Sequence, residues 1–111
     1  MPAIFQRRYE RISFFAEVEV TDLARGKTFR ARTIDLSRGG VGFFARVFVP
    51  TGSRVRLAIA FRYGGQDRRC ILPGVVMQAR PEDDGVVIGA AFEQALAPAN
   101  QPVLCDLLDG K

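Results

Sequence analysis

The chain has 111 residues, of which 48% are hydrophobic and 25% charged, which indicates one soluble globular domain and excludes a disordered chain. Its net charge of +4 favours an anionic partner over a cationic one. It contains no histidine, which removes Ser–His and Cys–His catalytic pairs and the commonest zinc ligand, so we predict no enzyme, no catalytic residue, no metal site and no cofactor.

The first twelve residues fit no strand, and we predict that residues 1–12 form a flexible basic arm. Beyond them, apolar and polar residues alternate with a period of two, as in a half-buried strand. In Arg54–Arg62, for example, the residues Val55, Leu57 and Ile59 share one face. The alternation predicts six strands, at Ser13–Val20, Lys27–Asp35, Gly40–Ala45, Arg54–Arg62, Arg68–Ala79 and Val86–Glu93.

Short loops between these strands leave no room for crossover helices, so we predict an all-β fold, a six-stranded antiparallel β-barrel over residues 13–93. Pro73 and Gly74 indicate a bulge or an edge position. A short C-terminal α-helix is predicted over residues 100–109, capped by Asn100, with its leucines closing one mouth of the barrel. Residues 1–111 then form a single domain.

The two cysteines, Cys70 and Cys105, lie among apolar neighbours at no disulfide or metal-site spacing, so we predict free thiols in a reducing compartment. Met1–Phe5 is too short for a signal-peptide core, and no apolar run approaches about 18 residues. We therefore predict a cytoplasmic protein without membrane insertion.

The basic arm contains three arginines in five residues, Arg7, Arg8 and Arg11. Guanidiniums so close together repel one another unless an anion lies among them. Arginine also makes up 14 of the 16 basic residues of the chain, and its planar fork suits phosphate and guanine. The alternative for this segment is a solvated basic tail.

A second segment, Asp35–Gly40, falls between the second and third predicted strands. Asp35 and Ser37 are residues that hydrogen-bond local backbone in turns, and Gly39 and Gly40 allow a positive φ or a close approach of the backbone. The alternative for this segment is a plain turn with no ligand.

Together the two segments resemble the signature of the PilZ domain family, bacterial receptors for cyclic di-GMP. That signature is RxxxR, then D/N-x-S-x-x-G after a gap of twenty-odd residues, and here Arg11 and Asp35 are separated by 35 − 11 = 24 positions. Three further stretches, Pro50–Leu57, Pro73–Val76 and Ile88–Phe92, are similar to the family's P-x-G-x-x-V/L-x-L, G-x-V-V and V-G-x-x-F patterns.

The resemblance implies a six-stranded barrel with a C-terminal helix that binds cyclic di-GMP. It assigns the ligand to the arm arginines, Arg7, Arg8 and Arg11, and to the turn residues Asp35, Ser37, Gly39 and Gly40. Some members carry an extra arginine before RxxxR that favours a stacked ligand dimer. Gln6 stands there in this chain, so we expect one bound ligand unless Arg8 or Arg38 compensates.

The resemblance also implies a signalling role. The ligand is expected to order the arm and so relay the signal to an unidentified effector protein in trans, the domain itself being a monomer or weak dimer. The alternative is a PilZ-like adaptor that binds proteins without nucleotide. No nucleic-acid binding is expected, because the phenylalanines of the strands are predicted to point inward and there is no tryptophan.

Overall fold

A computed structural model describes residues 9–110 as a ring of antiparallel strands followed by one short helix. The seven strands are β1 (Ile12–Ser13), β2 (Glu17–Asp22), β3 (Lys27–Leu36), β4 (Gly40–Ala45), β5 (Arg54–Tyr63), β6 (Gln66–Glu82) and β7 (Gly85–Phe92), and the helix is α1 (Pro102–Leu108).

The ring is a six-stranded barrel with one short addition. The strands pair in the order β1-β3-β2-β5-β6-β7-β4, and a further pairing between β3 and β4 closes the ring. All pairings are antiparallel. Strand β1 lies on the edge of β3 beyond the end of β2. The prediction of a six-stranded antiparallel barrel with a C-terminal helix is therefore confirmed.

The predicted first strand, Ser13–Val20, is interrupted at residues 14–16. Opposite the interruption, the buried hydroxyl of Thr33 donates to the carbonyl of Phe14 at 2.6 Å and accepts the amide of Ala16 at 2.7 Å. The hydroxyl therefore takes the place of backbone partners in the ladder. Phe14 and Ala16 still face the core, so the alternation of buried and exposed side chains continues through the break. For this reason the sequence pattern predicts one strand, whereas the backbone forms two.

Replacing Thr33 with valine should lower the free energy of unfolding by about 2 to 6 kcal/mol. The variant keeps the shape of the side chain but leaves two buried backbone groups without a partner, at about 1 to 3 kcal/mol for each. Chemical denaturation measures the loss. The matched control is Thr28→Val, because the hydroxyl of Thr28 is exposed and its side-chain partner among residues 9–110 is the hydroxyl of Thr21 at 3.0 Å. Equal losses in the two variants would contradict the role given to Thr33.

The core lies inside the ring and is formed by the inward residues of every barrel strand together with the helix. Its largest fully buried side chains are Leu36, Phe43, Leu57, Ile59, Ile88 and Leu104. The alternation of β5 holds as predicted, since Val55, Leu57 and Ile59 are all buried. This core fixes which face of each strand points to solvent.

Strand β6 belongs to two ladders and changes neighbours near its middle. Its first part pairs with β5 and its second with β7, and the ladder with β5 runs through Pro73 without a shift in register. The carbonyl of Pro73 accepts the amide of Glu93, beyond the end of β7. The missing amide hydrogen of Pro73 points to that same side, where no ladder needs it. The bulge of β6 lies further on, between Val76 and Gln78.

The prediction that the strand phenylalanines point inward is wrong for two residues, Phe15 and Phe44, and Phe44 lies half-buried on the outer face of β4. Phe14, Phe43 and Phe92 are buried, whereas Phe15 is 78% exposed. Phe15 follows a buried residue and precedes another in the interrupted segment, so the alternation itself directs its ring to solvent.

Helix α1 is shorter than predicted and begins differently. Its N-cap is Gln101, with no side-chain capping bond. The side chain of Asn100 instead accepts the amide of Ala97 at 2.9 Å, so the predicted Asn100 cap is wrong because that oxygen is used by the preceding turn. Leu104 and Cys105 anchor the helix in the core. Within residues 9–110 no helix is long and apolar enough to cross a membrane.

Both cysteines are free thiols, with Cys105 buried and Cys70 half-buried. Burial raises the pKa of the Cys70 thiol to about 11. We therefore expect alkylation of Cys70 in the folded protein to accelerate by about tenfold per pH unit until the pH approaches that value. Mass spectrometry of the modified residue gives the rate, and the unfolded chain is the control. A plateau near the ordinary cysteine pKa of about 8.5 would contradict this expectation.

Candidate functional site

The two sequence segments singled out above meet at one end of β3. Strand β1 pairs with β3 so that Ile12 faces Leu36 and Ser13 faces Asp35. Arg11, immediately before β1, therefore lies beside the point where the chain leaves β3 for the turn. The other two arm arginines, Arg7 and Arg8, lie outside the described residues.

An ion pair joins the segments. A guanidinium nitrogen (Nη1) of Arg11 lies 3.0 Å from Oδ2 of Asp35, and the two side chains are 34% and 28% exposed. The other carboxylate oxygen, Oδ1, accepts the backbone amide of Gly42 at 3.1 Å. This bond forms where the β3–β4 register shifts between Thr33 and Asp35. The carboxylate is thus fixed by strand backbone on one side while it remains open to solvent beside Arg11.

The turn after Asp35 is built around the hydroxyl of Ser37. Its Oγ accepts the amides of Gly39 at 3.1 Å and Gly40 at 3.2 Å, and donates to the carbonyl of Gly40 at 3.4 Å. Ser37 is only 1% exposed. In this conformation the hydroxyl holds the turn together, so the predicted direct contact between Ser37 and a ligand stays a prediction.

Gly39 and Gly40 also serve the turn through their backbones. Neither adopts a positive φ, contrary to one of the two reasons for which the sequence favoured glycine here. Both are buried, and the carbonyl of Gly39 accepts the amide of Phe92 at 2.8 Å, which ties the turn to the end of β7. The contribution of the two glycines is therefore close packing of backbone.

A strip of small residues continues from this turn along the outer face of β4 and β7. The inward positions of these strands fill the core, so the alternate positions face outward. The register pairs Gly40 with Ala91 and Gly42 with Gly89. Sequence reasoning missed Gly42, Gly89 and Ala91. Their signal is the pattern Gly-x-Gly on one strand and Gly-x-Ala on its partner, which shows as a strip only once the pairing is known.

Arg38, inside the turn, points to the helix. Its Nη2 donates to both carboxylate oxygens of Asp109, at 2.9 and 3.1 Å, and its Nη1 lies 3.5 Å from the sulfur of Cys105. The hydrogen bond with Asp109 is the main cause that raises the pKa of Arg38 above its usual value. Arg38 thus anchors the end of α1 to the turn and remains charged. A cavity of about 340 Å³ opens here between Tyr9, Leu108 and this ion pair.

The family model of the PilZ domain matches residues 5–108 of the chain. The chain belongs to the PilZ domain family. The match covers both motifs, all seven strands and α1. A search of curated protein sequences found no significant relative.

Solved structures of PilZ proteins share this fold at low sequence identity. The Bacillus subtilis inhibitor of motility (MotI/DgrA) superposes with a TM-score of 0.75 at 18% identity, over 94% of this chain and 50% of that one. The PilZ domain of Escherichia coli YcgR with c-di-GMP gives 0.73 at 21% identity, over 95% and 90% of the two chains. A longer chain of Escherichia coli YcgR in complex with c-di-GMP gives a TM-score of 0.73 at 20% identity, over 94% of this chain and 45% of that one. The chain thus spans about half of the two longer proteins and nearly all of the isolated PilZ domain.

Proposed function

We propose that this PilZ domain binds cyclic di-GMP through the arm arginines, Arg7, Arg8 and Arg11, and the turn from Asp35 through Ser37 and Gly39 to Gly40. The observation that carries the proposal is the 3.0 Å ion pair between Arg11 and Asp35, which brings together two motifs 24 residues apart. The similarity to the YcgR PilZ domain, whose structure contains c-di-GMP, supports the choice of ligand.

The chemistry of the paired residues suits a guanine dinucleotide. Cyclic di-GMP carries two ionised phosphates, and a guanidinium binds either a phosphate or the O6/N7 edge of guanine with bidentate, charge-assisted bonds. The carboxylate of Asp35 accepts hydrogen bonds, and guanine offers donors at N1 and N2. Adenine presents an acceptor at N1, so a carboxylate at this position selects guanine.

The small-residue strip gives the ligand a surface to lie on. Gly42 and Gly89 carry no side chain beyond Cα, but both are buried in this conformation, and the Asp35 carboxylate lies over Gly42. A flat ring therefore reaches the strand backbone here only when the ligand displaces what covers the strip. Because the guanidinium of Arg11 lies on the other side of the same carboxylate, charge recognition and base recognition fall within one short stretch of barrel wall.

The relay to an effector protein is proposed to act through the arm. Arg11 lies at the C-terminal end of the arm in the sequence. A ligand bound by Arg11 is therefore expected to bind Arg7 and Arg8 as well. We expect hydrogen exchange of residues 4–12 to slow when cyclic di-GMP binds, because amides ordered by a ligand open less often. Unchanged exchange there, at saturating ligand, would refute the arm as the relay.

Calorimetric titration of the whole chain tests the binding itself. We expect heat of binding with cyclic di-GMP, a stoichiometry near one ligand per chain because Gln6 replaces the extra arginine, and much weaker binding of cyclic di-AMP. The absence of both heat and thermal stabilisation at saturating cyclic di-GMP would refute the proposal, since any ligand that binds only the folded state raises its stability.

One observation favours the alternative, an adaptor that binds proteins without nucleotide. The polar groups of the turn already have partners inside the domain: the Asp35 carboxylate bonds to Arg11 and Gly42, and the Ser37 hydroxyl bonds to two glycine amides. A purely structural turn needs the same bonds. The titration separates the two functions, because the adaptor gives no heat with either dinucleotide.

A further inference from the structure

The outer wall formed by β2, β3 and β4 contains a basic groove, which lies on the N-terminal side of Asp35 along β3. The groove has a volume of about 490 Å³ and is lined by three arginines, Arg30, Arg32 and Arg46, together with Phe44 and Glu17. None of these residues belongs to either PilZ motif. With three positive charges and one negative, the groove has a net charge of 3 − 1 = +2.

Strand periodicity and register assemble the groove. Arg30 and Arg32 alternate with the buried Ala31 and Thr33, so both guanidiniums point outward on β3. Arg32 pairs with Glu17 on one side and with Phe44 on the other, and directly paired side chains are about 5 Å apart. Arg30 and Arg32 are thus held on the sheet, and Arg46 lies in the bend directly after β4.

The arginines of the groove are poorly neutralised. Neither the Arg30 nor the Arg32 side chain forms a hydrogen bond or ion pair with any residue between 9 and 110. Arg46 reaches Asp84 only at 3.8 Å, and both of these side chains are 75% exposed, so the pair contributes little. The guanidinium of Arg46 lies 5.9 Å from the centre of the Phe44 ring. Among the described residues, the positive charges of the groove are therefore largely uncompensated.

Two exposed apolar side chains, Phe15 and Ile34, lie between the groove and Asp35. Phe15 is 78% exposed and Ile34 is 37% exposed. The amide of Phe14 bonds to the carbonyl of Ile34, and Ala16 bonds to Thr33, so Phe15 lies next to Ile34 on the same wall. A large exposed aromatic side chain beside unpaired arginines is typical of a protein-binding surface, where aromatic residues and arginine are enriched.

We propose that this basic wall, defined by Phe15, Ile34, Arg30, Arg32, Phe44 and Arg46, docks an acidic segment of a partner protein that carries an apolar anchor. Carboxylates of the segment pair with the guanidiniums, and its anchor covers Phe15 and Ile34. If the docked protein is the effector that receives the cyclic di-GMP signal, the proposal names its chemical class, and this part rests on the proposed function. Docking itself needs no dinucleotide.

A protein segment suits the wall better than a nucleic acid does. Glu17 lies in the groove and repels a backbone in which every unit is negative, whereas a peptide is able to place a neutral or basic residue opposite it. The face of Phe44 is shared with the guanidinium of Arg46, which leaves Phe15 as the single well-exposed ring of the wall, and single strands bind by stacking successive bases.

Fluorescence anisotropy with a labelled peptide of alternating glutamate and leucine tests the proposal. We expect saturable binding to the whole chain that weakens as salt rises. The double variant Arg30→Glu/Arg32→Glu should lose about tenfold or more of this affinity, because the charges in direct contact are reversed. Phe15→Ser should weaken binding about threefold or more through the lost apolar contact.

Matched controls come from the neighbouring strand β5 and from β6. Arg54→Glu/Arg56→Glu makes the same change of charge at the same i, i+2 spacing on another wall, and it also breaks the exposed ion pair of Arg54 with Glu93, so its thermal unfolding is measured alongside. Ile71→Ser removes another exposed apolar side chain, which is 54% exposed. Equal losses in the test and control variants would overturn the proposal by showing attraction to net charge alone. Tighter binding of oligouridylate, lost in the same groove variants, would overturn it in favour of nucleic acid.

The calorimetric titration with cyclic di-GMP separates this proposal from the previous one. The groove variants should bind the dinucleotide as well as the charge-matched Arg54→Glu/Arg56→Glu variant does, since Arg11 and Asp35 are unchanged and both variants lose the same net charge. Peptide binding that is absent while dinucleotide binding persists refutes the docking wall alone. Dinucleotide binding that is absent while the peptide binds refutes only the receptor function.

Discussion

Arg11→Ala should weaken the binding of cyclic di-GMP by roughly 30- to 4,000-fold and leave the barrel folded. Losing one partner of a close charge pair in a binding site costs about 2 to 5 kcal/mol, and each 1.4 kcal/mol is tenfold in affinity. In the protein without ligand, the pair of Arg11 with Asp35 is about one-third exposed, and such pairs contribute only about 0 to 1 kcal/mol to folding. Calorimetry and thermal unfolding of one protein preparation measure both effects.

The control for Arg11→Ala is Arg56→Ala, which removes an exposed arginine that forms no ion pair within residues 9–110. It lowers the net charge by the same amount, so it reports any general effect of charge on an anionic ligand. Binding by Arg11→Ala within about threefold of Arg56→Ala would show that the ion pair with Asp35 is structural only. The alternative function, an adaptor without nucleotide, would then account better for the geometry of the turn.

The fold was largely predictable because its main signal is local. The alternation of buried and exposed residues in β5 can be read from consecutive positions of the sequence. Six such strands joined by short loops predict a barrel. The errors have non-local causes. The break between β1 and β2 depends on Thr33, about 18 positions away along the chain, and the helix start depends on the turn that uses Asn100.

The candidate site was predictable only in part, for a related reason. The motif pattern identifies Arg11 and Asp35 as residues, and the register of β1 with β3 then brings them together. The pattern does not identify Gly42 or Gly89, because their role depends on which strand lies beside which. The pattern also does not show that Ser37 and Asp35 differ in exposure. The hydroxyl of Ser37 is buried in the turn, whereas the carboxylate of Asp35 is partly exposed to solvent.

Gly42→Ala should reduce affinity for cyclic di-GMP by about tenfold or more although residue 42 carries no functional group. A Cβ atom at this position would lie 2.6 Å from Oδ1 of Asp35, closer than carbon and oxygen tolerate. The carboxylate is the flexible partner, so it rotates away, loses the amide bond of Gly42 and no longer faces Arg11 in the same way. A displacement of this size at a charged contact costs affinity as a lost contact does.

A double-mutant cycle isolates this mechanism. In a chain that already carries Asp35→Ala there is no carboxylate to displace, so Gly42→Ala should add little further loss, and the two changes should be strongly non-additive. If Gly42→Ala costs as much in the Asp35→Ala chain as in the wild type, the methyl group acts on the ligand directly by filling the small-residue strip. The cycle thus decides whether Gly42 orients the carboxylate of Asp35 or provides the surface on which the ligand lies.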